Sequence, residues 1–316
     1  MLAKVRAATA ALAYWMGVAG RGRRHGARIL TIHGTPRRRA AELERQLRYV
    51  RRQFRVVPLA QLVDGLHARA DLHRMVALTF DDGLRNNVEV AYPMLRRLGL
   101  PATFFICPGL VEEGRWLWTH EMRCRLRRLA IADVDAFVEW MKRLGITARL
   151  EVEEAVREAT REFVPTLAER SEFDLAGWDQ LRRLEPALIA IGSHTLTHPV
   201  LPSMGSNEIE PEIRESRHLI EQRLGRPADV FAYPNDDHNG VVRDLVRRHY
   251  RAAVAGGGRK VIEHGVDTHI LPRLHVPRGA LRLALAMHRN HRASAVTAAI
   301  SRPAAAPTTV PLMRMY

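Results

Sequence analysis

A short apolar run, Val76–Phe80, ends on two adjacent acids and a glycine, Asp81-Asp82-Gly83. Such a run predicts a buried strand. Two neighbouring carboxylates at its end repel each other unless a cation or another partner lies beside them. An Asp-Asp-Gly sequence is also typical of a simple turn. Because the active sites of α/β folds collect at the carboxyl ends of strands, the pattern favours a functional site here.

A second apolar run, Ala187–Ile191, also ends in polar residues, among them two histidines four positions apart, His194 and His198. This spacing is common on a solvated helix face, but Gly192 and Pro199 argue against a helix. One acid and two imidazoles can hold a divalent metal such as zinc and leave a position open for water. The remaining acid is then free to move protons, so the two runs together predict one shared site.

Strand-like and helix-like segments alternate along most of the chain, which predicts an α/β protein with a mainly parallel sheet or barrel. Residues 119–185 interrupt the alternation and predict a helical insertion that caps the site or contacts a partner. The predicted organisation is an N-terminal basic and apolar segment at 1–27, one catalytic domain at 28–300 and a flexible tail at 301–316. The predicted strands are 28–32, 76–80, 102–106, 189–192, 230–233 and 252–255.

Four motifs follow one another in the order of a known family: Leu78–Gly83, Pro101–Phe105, Gly192–His198 and Phe231–Pro234. At these residues the chain resembles the polysaccharide deacetylase family, also called the NodB homology domain or carbohydrate esterase family 4. The resemblance covers roughly residues 28–280. It implies an irregular (β/α) barrel of about seven strands. It also implies a metal-dependent hydrolase that removes acetyl groups from N-acetylated sugars.

The resemblance implies roles for the residues of the first and third motifs. Asp82, His194 and His198 correspond to the metal ligands, and Asp81 corresponds to the general base that takes a proton from water. The cofactor implied is a divalent metal, and this set of ligands favours Zn²⁺.

The fourth motif implies a donor for the oxyanion that forms during amide hydrolysis. In the family this donor is the backbone N–H after the proline, which corresponds to Asn235 in Tyr233-Pro234-Asn235. The same residues also have the composition of a turn, and the two interpretations are compatible.

The general acid is expected from a histidine at a strand end. A permuted branch of the family carries it on the N-terminal strand, and Arg28–His33 has that form, so His33 is the predicted acid. Members of this branch usually have tyrosine before the histidine, where this chain has Ile32. His275, near the end of the domain, is the alternative.

Two other positions depart from the family. The fourth motif usually begins with an arginine that orients the base, and this chain has Ala232 there. Arg273, in the last predicted strand, is the candidate for the missing guanidinium, because a planar fork suits a carboxylate. Asp236 stands where relatives usually carry glycine, and a non-glycine residue is costly if φ is positive.

Aromatic residues are candidates for holding a sugar. Trp116 and Trp118 follow the strand at 102–106 in a predicted loop, and an indole can stack on a sugar ring and donate a hydrogen bond. Trp178 lies in an amphipathic stretch and is predicted to belong to the core.

The formal net charge is +15, almost wholly from arginine. Such a charge points to an acidic partner or to a protein with basic faces. The apolar run 7–19 is flanked by Lys and Arg, which predicts an interfacial helix on an anionic membrane surface. A signal peptide and an ordinary helix are alternatives. The expected location is cytoplasmic, peripheral at the inner membrane.

These observations favour a metal-dependent de-N-acetylase acting on a glycan or glycan precursor in exopolysaccharide biosynthesis. Three alternatives stay open. A hydrolase of other acyl or non-peptide C–N bonds could use the same scaffold. A non-heme iron oxygenase also uses two His and one carboxylate, although Asp81 has no role in it. A basic nucleic-acid-binding protein would explain the charge, but no aromatic-basic recognition motif supports one.

Overall fold

The structure is a computed structural model that describes residues 26–256 and 261–288. The predictions of an interfacial N-terminal helix and of a tail at 301–316 lie outside the described residues. No helix in the described ranges is both long enough and apolar enough to cross a membrane.

The described residues form one parallel sheet that closes on itself. Its strands are β1 (Arg28–Ile32), β2 (Arg55–Val56), β3 (Met75–Phe80), β4 (Ala102–Ile106), β5 (Ile189–Ser193), β6 (Val230–Ala232), β7 (Ala252–Ala255) and β8 (Leu271–His275). Strand β1 pairs with β8 on one side and with β3 on the other, so seven strands form the barrel. The short strand β2 pairs only with the start of β3. The predicted irregular barrel of about seven strands is confirmed.

Helices connect these strands and cover the barrel. They are α1 (Ala40–Gln53), α2 (Leu59–His67), α3 (Tyr92–Leu98), α4 (Pro108–Glu113), α5 (Trp118–Arg128), α6 (Val134–Met141), α7 (Ile146–Ala159), α8 (Leu167–Phe173), α9 (Trp178–Arg182), α10 (Ser206–Leu224), α11 (Gly240–His249) and α12 (Ala280–His288). A π-helical turn, Asn87–Ala91, precedes α3, so residues 87–98 do not form one regular α-helix.

Two apolar clusters explain why the barrel holds together. Alternate strand residues such as Ile29, Ala77 and Val254 pack with α2 in one cluster. The other faces of β3, β4 and β5 pack against the covering helices in a second cluster, which includes Leu78 and Phe104. Because both faces of each strand are covered, the strands are near-continuous apolar runs, as parallel sheets require.

Helices α4 to α9 lie between β4 and β5. Helices α5 to α7 have a core of their own that includes Met122, Phe137 and Val156, whereas Leu181 of α9 packs in the second barrel cluster. Glu121 ties two of these helices together by accepting hydrogen bonds from Arg125 at 2.8 Å and Arg157 at 3.0 Å. The insertion is therefore a packed helical unit that stands over one side of the barrel.

Candidate active site

The carboxyl ends of the barrel strands surround a cavity of about 380 Å³. Its lining includes the ends of β1, β3, β5 and β8, the turn after β6, and residues from the insertion. Because the seven strands are parallel, residues that are distant in sequence meet at the same end of the barrel. Parallel α/β barrels have their active sites at this end.

Three buried side chains in the lining of this cavity form a compact group. The ligand atoms of Asp82, His194 and His198 all lie within 4.8 Å of one another. Asp82 Oδ1 is 3.7 Å from Nε2 of each histidine. Bonds of about 2.0 Å to a tetrahedral zinc would place such atoms about 3.3 Å apart, so small side-chain shifts suffice. The geometry and chemistry of this group therefore fit a divalent metal.

Different interactions make each of the two histidines suitable as a metal ligand. His194 Nδ1 lies 2.7 Å from the carbonyl oxygen of Ala232, which orients the ring and leaves Nε2 facing Asp82. Burial, together with the charge of His194, lowers the pKa of His198 well below its usual value. His198 is therefore neutral, as a ligand must be.

Backbone strain is concentrated at the site. Eight described non-glycine residues have positive φ, and four of them line the cavity: Asp82, His198, Asn235 and Asp236. Such conformations persist only where the surrounding structure enforces them, and they cluster at functional sites. The first of these, Asp82, is followed by Gly83 at φ 67°, which completes the sharp turn at the end of β3.

Asp81 lies beside this group of three side chains and is itself buried. It accepts hydrogen bonds from Arg273 Nη1 at 2.7 Å and from Thr31 Oγ1 at 3.3 Å. Burial favours the neutral acid, but the charge of Arg273, with smaller contributions from His194 and His33, sets the pKa of Asp81 below its ordinary value. Asp81 is therefore a carboxylate at neutral pH, able to accept a proton.

Arg273 joins Asp81 to a second carboxylate. Its Nη2 donates to Asp236 Oδ1 at 2.8 Å, and Asp236 Oδ2 lies 3.0 Å from His275 Nε2. Burial opposes the charge, but His275 and Arg273 hold the pKa of Asp236 well below its usual range. Asp236 has φ 61°, so this position is one that favours glycine. A Cβ on Gly256 would lie 2.0 Å from Asp236 Oδ2, so Gly256 leaves the space that the carboxylate fills.

Both histidines predicted as alternative general acids reach the cavity. His33 Nε2 is 3.9 Å from Asp81 Oδ2, and the His33 and His275 rings stack with centroids 5.7 Å apart. His33 follows β1 and His275 ends β8, and these strands are neighbours because the barrel is closed.

The turn after β6 presents a backbone donor. Asn235 has φ 56°, and its N–H has no hydrogen-bond partner among the described residues, whereas the next N–H, of Asp236, donates to Tyr233 at 3.0 Å. Tyr233 and Asn235 line the cavity, and Tyr233 is held by the hydrogen bond from its hydroxyl to His269 O at 2.9 Å. Pro234 lies between them in the turn and does not line the cavity.

The sequence matches the model of one protein family, described as polysaccharide deacetylase, over residues 68–254. The chain belongs to the polysaccharide deacetylase family. The predicted family and enzyme class are therefore confirmed, and the protein is a polysaccharide deacetylase. Enzymes of this family depend on a metal, and Asp82, His194 and His198 are residues suited to hold it.

Solved structures share the fold of this deacetylase. IcaB from Ammonifex degensii is 19% identical, with a TM-score of 0.59 over 84% of this chain and 98% of that chain. The deacetylase PplD from Streptococcus pyogenes, in complex with acetate, is 16% identical, with a TM-score of 0.59 over the same shares, 84% and 98%. The BpsB deacetylase domain from Bordetella bronchiseptica is 16% identical, with a TM-score of 0.54 over 78% of this chain and 94% of that chain. No curated protein sequence matches the chain.

Two residues that we expected to line the deacetylase cavity lie elsewhere. The Trp116 indole N–H donates to Asp174 at 2.7 Å, and its ring packs against Phe173. Trp118 is only 5% exposed, belongs to the core of the insertion, and donates to His198 O at 3.2 Å. The predicted loop at Trp118 is the first turn of α5, and burial of its indole in this core removes the face that a sugar would need.

The insertion supplies cavity residues that sequence analysis missed: His120, Arg123 and Lys142. Burial lowers the pKa of His120 to about 4. Arg123 and Lys142 are held at the rim by exposed acids, Asp135 and Glu139, each at 2.8 Å. No local pattern marks these residues, because their place depends on how the insertion docks on the barrel.

Proposed function

We propose that this deacetylase hydrolyses the acetamide of an N-acetylated sugar within a glycan or glycan precursor, in exopolysaccharide biosynthesis. The observation that carries the proposal is the pairing of a buried Asp-His-His group with the ionised Asp81 in one open cavity. Amide hydrolysis needs an activated water, a stabilised oxyanion and a protonated leaving amine, and the cavity has a group for each.

The proposed metal ligands are Asp82, His194 and His198. Their mixture of two imidazoles and one carboxylate suits Zn²⁺ among divalent metals. A bound ion of this kind lowers the pKa of a water molecule and polarises an acyl carbonyl.

Asp81 is the proposed general base. It lies next in sequence to the ligand Asp82 and carries its charge at neutral pH because Arg273 offsets the cost of burial. A carboxylate in this position accepts the proton of an attacking water. Arg273 holds its Oδ1, and its Oδ2 lies 3.9 Å from His33 Nε2. Arg273 is thus the proposed positioning residue for the base.

Two further residues of the cavity lining are proposed for the oxyanion and for the leaving amine. The N–H of Asn235, which has no partner among the described residues, is the proposed donor to the oxyanion. His33 is the proposed general acid that protonates the leaving amine, because it is the histidine that approaches Asp81. His275 is the alternative, although its Nε2 is engaged with Asp236.

Acetate release from a panel of N-acetylated glycans, measured with metal-stripped and zinc-restored protein, tests this function. We expect release only from the restored protein, none from Asp81→Asn, and a loss of at least about a hundredfold for His33→Ala, as is usual for an acid or base catalyst. O-acetyl esters in the same panel test the alternative function, because a hydrolase of other acyl groups would also release acetate from them. Full activity of Asp81→Asn would disprove the base assignment. If His33→Ala keeps the wild-type activity while His275→Ala is inactive, His275 and not His33 is the general acid.

We further propose that the protein works at an anionic membrane surface on the cytoplasmic side. The net charge of +15 and the basic residues around the apolar run 7–19 support this proposal. Co-sedimentation with anionic vesicles, comparing the full chain with a chain that starts at Gly26, is the test. Equal sedimentation of both would contradict a role for the first residues. Tight, steeply salt-dependent binding to nucleic acid would favour the alternative partner instead.

A further inference from the structure

The two histidines proposed as metal ligands differ in how their second ring nitrogen is held. His194 Nδ1 lies 2.7 Å from the carbonyl oxygen of Ala232. His198 Nδ1 is buried and has no hydrogen-bond partner among the described residues. A histidine that binds metal is usually oriented through a hydrogen bond at this second nitrogen. The direction of the His198 ring must therefore come from the backbone that carries it.

That backbone belongs to residues 194–198, which we call the histidine loop, and it is strained. Thr195 has φ 66° and His198 has φ 63°, values that are costly for residues other than glycine. One contact that enforces this conformation lies within the loop, where the N–H of His198 donates to Thr195 Oγ1 at 2.9 Å. Other contacts reach the loop from outside the barrel strands.

The first of these outside contacts comes from the helical insertion. The indole N–H of Trp118, at the start of α5, donates to His198 O at 3.2 Å, and both residues are buried. The guanidinium of Arg149, on α7, lies over the Trp118 ring, 4.6 Å from its centroid, and forms an ion pair with Glu153 at 3.1 Å. A cation over the face of an indole is attracted to it. These contacts hold the indole with its N–H directed at the histidine loop.

Glu212, on α10, makes the second outside contact. Its carboxylate accepts hydrogen bonds from the N–H of Thr197 at 2.9 Å and from Thr197 Oγ1 at 2.6 Å. Its backbone oxygen accepts a third, from the N–H of Leu196 at 3.1 Å. Burial raises the pKa of Glu212, while the bonds from Thr197 and the charge of Arg149 oppose the rise. The three hydrogen bonds fix the two residues directly before His198.

We infer that Trp118 and Glu212 are positioning residues for the metal, because they hold the backbone of the histidine loop so that the His198 ring faces Asp82. The inference rests on the metal site of the proposed function and deepens it. Neither residue lines the active-site cavity, so neither is a catalytic residue. Since Trp118 belongs to the insertion, the affinity for metal depends on a unit that packs outside the barrel.

The test for Trp118 measures the zinc dissociation constant of the metal-stripped, full-length protein by competition with a chromophoric chelator. Trp118→Phe keeps an aromatic ring and removes the N–H donor, and we expect it to weaken zinc binding by about tenfold or more. Acetate release should recover when zinc is raised above the new dissociation constant. Trp178→Phe is the matched control, because the Trp178 indole donates to Glu112 at 2.7 Å and not to the histidine loop.

The test for Glu212 uses two substitutions. Glu212→Ala should weaken zinc binding by about tenfold or more, because it removes both acceptors of Thr197. Glu212→Gln should restore most of the affinity, since an amide can accept from the N–H of Thr197 and donate to its hydroxyl. Glu215→Ala, on the same helix, is the control, because Glu215 pairs with Arg214 at the surface. Urea unfolding of each metal-free variant shows that it is folded.

The possible outcomes separate this inference from the function on which it rests. A folded Trp118→Phe or Glu212→Ala protein with the wild-type zinc dissociation constant would overturn the role of that residue, even if the variant unfolds at lower urea. Equal weakening in Glu212→Ala and Glu212→Gln would overturn the role of the Thr197 hydrogen bonds. Zinc binding by His198→Ala that equals that of the wild type would instead refute the proposed metal site itself.

Discussion

At the scale of single residues, the site depends on one buried arginine between two acids. Arg273 is among the largest fully buried side chains, and it contacts Asp81 at 2.7 Å and Asp236 at 2.8 Å. A planar fork with several donors can satisfy both carboxylates at once, whereas an ammonium is a single point charge. Removing the guanidinium leaves two charges in the barrel without their shared cation.

We therefore expect Arg273→Gln to lower the free energy of unfolding by about 3 to 5 kcal/mol, the cost of breaking a buried ion pair. Urea unfolding monitored by circular dichroism measures it. Arg48→Gln is the matched control, because Arg48 pairs with Glu44 on the exposed face of α1 and should cost at most about 1 kcal/mol. Equal losses in the two variants would show that the buried network contributes no special stability.

At the scale of elements, the insertion depends on ion pairs as well as on its apolar core. Burial raises the pKa of Glu121, but hydrogen bonds and charges from Arg157 and Arg125 outweigh it and lower this pKa below the usual value. A carboxyl whose folded pKa is depressed stabilises the protein above its unfolded pKa. That stabilisation disappears as the pH falls through the folded pKa.

Glu121→Gln should therefore destabilise the protein by about 1 to 3 kcal/mol at neutral pH and by much less at a pH below the lowered folded pKa, where the wild-type carboxyl is protonated as well. Urea unfolding at both pH values measures the difference. Glu162→Gln, an exposed control in the turn after α7, should show little loss at either pH. A loss for Glu121→Gln that is independent of pH would mean that packing, not charge, explains it.

Close packing between strands β4 and β5 limits which residue can occupy position 192. Gly192 lies opposite Phe105 in the β4–β5 pair, and a Cβ there would approach the Phe105 ring to 2.5 Å and Val230 O to 2.9 Å. Gly192, the first residue of the third motif, is therefore needed for close strand packing as well as for its place before His194.

We expect Gly192→Ala to destabilise the barrel by about 1 to 3 kcal/mol through overpacking. Thermal unfolding followed by circular dichroism is the measurement. Gly240→Ala, at the open start of α11, is the control and should be neutral or slightly stabilising, since alanine favours a helix. If Gly192→Ala unfolds at the wild-type melting temperature, the strands can move apart around the added methyl group with no loss of stability.

At the scale of the whole molecule, barrel closure assembles the site. The proposed metal ligands come from the ends of β3 and β5, the proposed acid follows β1, and Arg273 lies in β8. Strand β1 pairs with both β3 and β8, so the first and last parts of the domain meet at the cavity. Metal that bridges two strand ends should therefore stabilise the fold as a whole.

Zinc added to metal-stripped protein should raise the melting temperature, with a stabilisation of about 2.7 kcal/mol when free zinc is a hundredfold above Kd. Differential scanning calorimetry across a zinc titration measures it. His198→Ala should abolish the shift, whereas His218→Ala, an exposed residue on α10, should retain it. A shift of equal size in the two variants would place the stabilising metal elsewhere.

Sequence alone determined the strand ends, the paired acids, the spaced histidines and the family, because periodicity and residue chemistry act over a few neighbouring positions. Tertiary structure decided that Arg273, which sequence analysis named only as a candidate, meets Asp81, and that the carboxylate of Asp236 occupies the space left by Gly256. It also turned Trp116 and Trp118 away from the cavity and brought His120 and Lys142 to it. These contacts join residues far apart in the chain, and only closure of the barrel and docking of the insertion set their distances.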